Sequence, residues 1–216
     1  MNAIAFRRAC LIAVYFFTAG CNTMPPAPPI PPETTINWVE HVRHLTELKD
    51  WHIQGKIGVK TVSDGGSAYL DWLQTNDSFH ITLSGPLGQG TTTISGNESG
   101  ARLESASQGA HISESPEQLL YDHTGWYIPL GNLLYWIKGL PEPKTPYSET
   151  RTPQGLISTL NQGPWSLSFS QYATHLGHPL PSKIKIQSQD LKVTLAIKSW
   201  APLLRDLSET DESNLP

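Results

Sequence analysis

Residues 79–94, FHITLSGPLGQGTTTI, carry the reading from which the fold follows. Phe79, Ile81 and Leu83 alternate with His80, Thr82 and Ser84, the period of a strand with one buried face. Thr91, Thr92, Thr93 and Ile94 form a β-branched run that suits a second strand. Between them, Gly85-Pro86-Leu87-Gly88-Gln89-Gly90 supplies the backbone angles of a tight reversal. A hairpin is the expectation. Leu87 at its tip has two readings. It either folds back to staple the hairpin, or stands out as an apolar finger for lipid or an apolar partner.

Working outward, alternation recurs on both sides. Ile53, Gly55, Ile57 and Val59 share one face, and Ala68, Leu70 and Trp72 alternate with Tyr69, Asp71 and Leu73 after a turn at Asp64-Gly65-Gly66. Short strands are expected near Ala101–Ser105 and Gly109–Ser113, then at Gly155–Leu160, Trp165–Phe169, Lys183–Gln187 and Leu191–Ile197. Trp38, Val42, Leu45 and Leu48 are spaced for one helix behind an Asn37 cap, with His41 and His44 on its polar flank. Ser115-Pro116 opens a short helix through Leu119 and Leu120. Gly125–Leu140, GWYIPLGNLLYWIKGL, suits a loop and a short apolar helix stopped by Gly139 and Pro141. The order of elements predicts a mainly β fold, an antiparallel curved sheet or barrel with a helix or two against its inside.

The N-terminus carries Arg7 and Arg8, then an apolar run, Ala9–Phe17, too short to span a bilayer. Thr18-Ala19-Gly20-Cys21 resembles the lipobox of bacterial lipoproteins, in which the cysteine takes a diacylglyceryl group. Thr18 departs from the leucine usual there, and the bland alternative is an ordinary cleaved signal with an incidental cysteine. Cys10 and Cys21 are the only cysteines, and Cys10 lies within the signal, so no internal disulfide is available. By analogy with other lipoproteins, Asn22 after the cysteine directs the product to the outer membrane. Six prolines in residues 22–32 predict a stiff spacer of eleven residues, about 34 Å at ~3.1 Å each. The expected division is a signal peptide at 1–20, the acylated Cys21 and proline-rich stalk at 21–32, one domain at 33–204 and a polar tail at 205–216.

Chemistry is hard to find in this chain. His41/His44 and His175/His178 have no cysteine or acid at ligand spacing, so no metal or cofactor is expected. Gly85-x-x-Gly88-x-Gly90 matches neither phosphate-binding loop. Asp71 and Asp77 read as solvated surface. The formal charge of −4 becomes −6 without the signal's two arginines, and no basic cluster is visible along the sequence, which argues against nucleic acid and against an anionic membrane surface as partners. What the chain has in excess is one-sided apolar surface. Ile57, Leu70, Trp72, Ile81, Leu83 and Ile94 would face inward together, with Trp126, Ile128, Leu134 and Trp136 plugging or gating the space between them. A filled core is the plain alternative to an acyl-binding hollow.

Taken in order, Trp51…Gly55-Lys56-Ile57, Ser67-Ala68-Tyr69-Leu70-Asp71-Trp72, Ser84-Gly85-Pro86-Leu87-Gly88, Ile128-Pro129-Leu130…Tyr135-Trp136-Ile137-Lys138-Gly139-Leu140-Pro141 and Leu195-x-Ile197-x-x-Trp200 resemble the outer-membrane lipoprotein receptor LolB family. The resemblance implies an open, incomplete antiparallel β-barrel with short helices covering a hydrophobic cavity. It implies a monomeric, non-enzymatic acceptor facing the periplasm, which takes acylated lipoproteins from the carrier LolA and inserts them into the inner leaflet of the outer membrane. The family's exposed loop leucine falls on Leu87, between Pro86 and Gly88. A structural envelope lipoprotein with a fully packed barrel core, binding a protein partner, is the alternative.

Overall fold

The computed structural model describes residues 27–86, 90–107 and 109–203. Strands β1 (Trp51–Lys60), β2 (Gly65–Thr75), β3 (Ser78–Ser84) and β4 (Thr91–Asn97) form a meander, and β3–β4 is the hairpin expected, with Ile81 opposite Ile94. Next come β5 (Gly100–Ser105) and β6 (Gly109–Ser113), and after the helices β7 (Tyr147–Arg151), β8 (Ile157–Gln162), β9 (Trp165–His175), β10 (His178–Gln187) and β11 (Lys192–Ala201). One antiparallel sheet holds all eleven, in the order β6-β5-β4-β3-β2-β1-β11-β10-β9-β8-β7. The first and last halves of the chain meet through β1 and β11, with Ile57 opposite Leu195. β6 and β7 stay unpaired with each other, so the barrel is open. Ile157 begins β8 two residues later than the sequence suggested, because Gly155, at φ +91°, belongs to the preceding turn.

Alternation decides which face is buried. Leu180, Ile184 and Ile186 on β10 and Val193, Leu195 and Ile197 on β11 point to the core, while Lys185, Lys192 and Lys198 point to solvent. At Gly55 β1 approaches β11 so closely that a Cβ would lie 2.2 Å from the Ala196 carbonyl oxygen, beside the register shift between Gln54 and Gly55.

Three helices are present among the described residues: α1 (Trp38–Glu47), α2 (Pro116–Thr124) and α3 (Leu130–Trp136). Asn37 Oδ1 caps α1 by accepting from Glu40 N, and Ser115 Oγ caps α2 by accepting from Gln118 N. His41 is not on a solvated flank: it is 5% exposed, packed by Trp38 at 5.7 Å, and burial lowers its pKa to about 4, helped by the charges of His178 and His44. Just past α3, Lys138 turns inward and donates to the carbonyls of Leu45 (2.7 Å) and Leu48 (3.2 Å), where the negative end of the α1 dipole offsets part of its desolvation. Its pKa is still pushed down to about 8, chiefly by burial and then by the charge of Lys49.

The described end of the proline-rich segment is docked rather than free. Pro28 accepts a hydrogen bond from Thr174 N at 3.0 Å, Pro29 bridges to Ala173, and Ile36 N donates to Gln154 O at 2.9 Å. This seat exists because β9 runs past the end of β8 and leaves part of its edge unpaired. A spacer that is free over all eleven residues is therefore not what the fold contains.

Candidate apolar binding site

The sheet must curl to enclose its inner face. Leu103 on β5 and Trp165 on β9 line the same cavity, although seven strand spacings, roughly 33 Å along the sheet, separate those strands. The cavity has a volume of about 320 Å³, roughly twice the ~150 Å³ void that holds benzene in an engineered core. Its walls are Ile57, Leu70, Trp72, Ile81, Leu83 and Ile94 from β1 to β4, with Val59, Ile186, Val193 and Leu195 from the β1–β11–β10 region. Leu120, Trp126, Ile128, Leu130 and Leu133 form its cover. That cover is tied together where Leu130 N, at the start of α3, donates to Glu117 Oε1 of α2 at 3.2 Å.

Of the ten residues expected to face an acyl chain, the structure brings eight to this cavity: Ile57, Leu70, Trp72, Ile81, Leu83, Ile94, Trp126 and Ile128. Leu134 lines a separate, smaller depression with Phe79, Ile81 and Gly131. Trp136 is fully buried behind the wall. Its Nε1 donates to Gln162 Oε1 at 2.8 Å, and its ring meets Trp165 at 5.8 Å, so it positions a cavity residue instead of being one. Trp72 has similar support from Trp51, whose ring lies 5.2 Å from it and 5.3 Å from Trp200.

The residues missed by sequence reasoning divide into two kinds. Val193 and Leu195 lay in a recognised alternating strand, but only the β1–β11 pairing brings them opposite Val59 and Ile57. Gly66, Ser67 and Ala68 contribute by being small: a Cβ on Gly66 would meet nothing within 4 Å, so this part of the wall borders open space. Wall residues reach the strand ends joined by the β1–β2 and β3–β4 turns. Leu83 and Thr92, opposite each other, are the last wall residues before the hairpin turn that begins at Gly85 and exposed Pro86. Leu87, Gly88 and Cys21 lie outside the described residues.

None of the side chains lining the cavity ionises. Such a lining offers no acid or base to move a proton or to activate the Ser67 and Thr92 hydroxyls, and what it does well is remove apolar surface from water. Among the described residues no three His, Cys, Asp or Glu side chains gather as a metal site. Asp71 is bound by Gln54 Nε2 at 2.8 Å and stands 3.0 Å from His52 Nε2, on the outer face, away from the cavity.

An open antiparallel sheet curled round an apolar hollow defines a class by its architecture, that of β domains with an internal apolar cavity. Within it, this chain belongs to the outer membrane lipoprotein LolB family, whose model matches residues 49–200. It is 40% identical over 185 residues to outer-membrane lipoprotein LolB of Stutzerimonas stutzeri (strain A1501), covering 85% of this chain and 90% of that one. It is 41% identical over 165 residues to LolB of Pseudomonas aeruginosa (strain LESB58), covering 76% and 80%. The family is one of lipoproteins and not of enzymes. The crystal structure of a DUF1329 family protein from Desulfovibrio piger superimposes with a TM-score of 0.50 at 7% identity, over 76% of this chain and 91% of that one, a likeness of fold alone.

Proposed function

We propose that this chain sits at the periplasmic face of the outer membrane, held by a lipid on Cys21, and receives lipoproteins from the carrier LolA. Their acyl chains enter the cavity lined by Leu70, Trp72, Ile94 and Trp126, and pass from there into the inner leaflet. The observation that carries this reading is the cavity itself, closed in by the Trp126–Leu133 cover and free of ionisable groups. Each methylene sheltered from water contributes ~0.8 kcal/mol, so a few buried carbons suffice to make acceptance from water strongly favourable. Transfer without an energy source runs downhill if this cavity holds the chain better than the donor does and the bilayer better still. Leu87, between Pro86 and Gly88, is assigned the release step, touching lipid tails as the client leaves.

The structural-lipoprotein reading needs a fully packed core, and the cavity counts against it. The test loads LolA with an acylated lipoprotein, adds this protein, and follows the client by pull-down. Movement to this protein without ATP supports acceptance. A client that stays on a carrier shown to release to another acceptor would sink it.

A further inference from the structure

The domain carries an acidic formal charge, yet on the outer face of three adjacent strands the charged side chains are all basic. Lys56 and Lys60 on β1, Lys183 and Lys185 on β10, and Lys192 and Lys198 on β11 all project from the outer face of three adjacent strands. β1, β9, β10 and β11 contain no Asp or Glu. Registers set the spacing. Lys56 and Lys183 flank Ala196, Lys185 lies opposite Thr194, and Lys60 lies opposite Lys192. Lys192 and Lys198 are six residues apart, so the patch extends roughly 20 Å along the strands and about 10 Å across them. Among the described residues none of the six is ion-paired; Lys56 stacks on Tyr69 at 5.0 Å, and the bordering Asp71 is engaged by Gln54.

We propose that this lysine face is a docking surface for anionic phospholipid headgroups, an inference that rests on the chain working at the outer membrane. Around the lysines the outer surface is built of small residues, Gly58, Thr194 and Ala196, with the β9 serines 166, 168 and 170 alongside β10. Its charge is spread over three strands, and the exposed ring that borders it, Tyr69, lies under Lys56. Lysine, a point charge on a flexible stem, suits a diffuse layer of phosphates, and the face carries no arginine.

The path of the N-terminal segment argues for the same side independently. Ala27 and Pro29 share one surface depression with Lys198, His175 and Ser182, so the chain meets the domain beside the patch. Six peptide steps separate Cys21 from Ala27, a reach of at most about 20 Å. A lipid on Cys21 thus keeps the Lys198 end of the patch within roughly two Debye lengths of the bilayer surface.

The test uses the full-length lipoprotein in vesicles of phosphatidylethanolamine alone or with phosphatidylglycerol added. A membrane-impermeant amine-acylating reagent is applied, and labelling at each lysine is read by mass spectrometry. With phosphatidylglycerol, the six lysines should label about fivefold more slowly, the factor that the surface attraction of one lysine implies, and high salt should restore the rate. Exposed Lys49 and Lys144 serve as references and should not change. Replacing Lys56, Lys185 and Lys192 together by Glu should make labelling of Lys60, Lys183 and Lys198 insensitive to lipid. Equal rates in both vesicles, or slowing shared by the reference lysines, overturns the proposal. So does protection that appears only in native envelopes, which would point to an acidic protein. Client delivery measured in the same vesicles separates the two readings: delivery with unprotected lysines removes this inference alone.

Discussion

Ala68→Phe is the most instructive perturbation of the cavity. Ala68 lines the wall and is only partly buried, on a strand whose neighbour Gly66 faces open space, so the backbone has no reason to move. The added ring is the size of benzene and would take up about half of the 320 Å³. If it excludes four methylenes of a bound acyl chain, at ~0.8 kcal/mol each, binding weakens by about 3 kcal/mol, on the order of 10²-fold. The assay titrates the protein with a fluorescent fatty-acyl probe, while urea unfolding follows stability. The expected result is a probe affinity reduced by about two orders of magnitude with stability unchanged or raised, because the ring fills a void. Unchanged affinity in a normally stable variant would refute the reasoning, since the chain would then bind elsewhere.

The other expectations concern groups around the site. Because burial holds the His41 pKa at about 4, below its unfolded value near 6.5, the unfolded chain takes up the proton first, and stability falls as pH drops between those values. Urea midpoints at pH 7 and pH 4.5 should reveal a loss of about 2 kcal/mol from this group, absent in His41→Leu; an equal slope in that variant contradicts the assignment. Trp136→Phe removes the bond to Gln162 Oε1 and loosens Trp165, so we expect about 1–3 kcal/mol of lost stability and an altered Trp165 fluorescence, whereas an unchanged denaturation curve would show the bond contributes nothing. Gly55→Ala drives a Cβ into the Ala196 carbonyl at the β1–β11 junction, and should cost 3 kcal/mol or more as measured by thermal unfolding. Leu87→Glu should leave acceptance of the client intact but slow its insertion into vesicles; normal insertion would remove Leu87 from the release step.

Much of the sheet was legible because alternation is a local signal. Ile81, Leu83 and Ile94 declare their face within one hairpin, and Ser115-Pro116 and Asn37 declare their helix starts without any tertiary information. What stayed hidden depends on pairing between distant segments. The lysines at 56–60 and at 183–198 look scattered along the chain, and only the β1–β11–β10 order gathers them on one surface. The same junction brings Val193 and Leu195 into the cavity. Trp136 and His41 were misplaced for a related reason: helical spacing tells which residues share a side, but not how deep that side sinks. Trp136 goes to the bottom because Gln162, on a strand 26 residues away, supplies a partner for its indole N–H. For His41, Trp38 packs on the ring and the domain closes over it, and none of this shows in the local pattern.

The central claim is that the cavity receives the client's acyl chains. A lipoprotein carrying a photoactivatable group within one acyl chain, delivered by LolA and irradiated on this protein, tests it most directly. The account predicts cross-links concentrated on Leu70, Trp72, Ile94 and Trp126, and lost in Ala68→Phe. Cross-links spread over the outer face, or confined to residues away from the cavity, would contradict it.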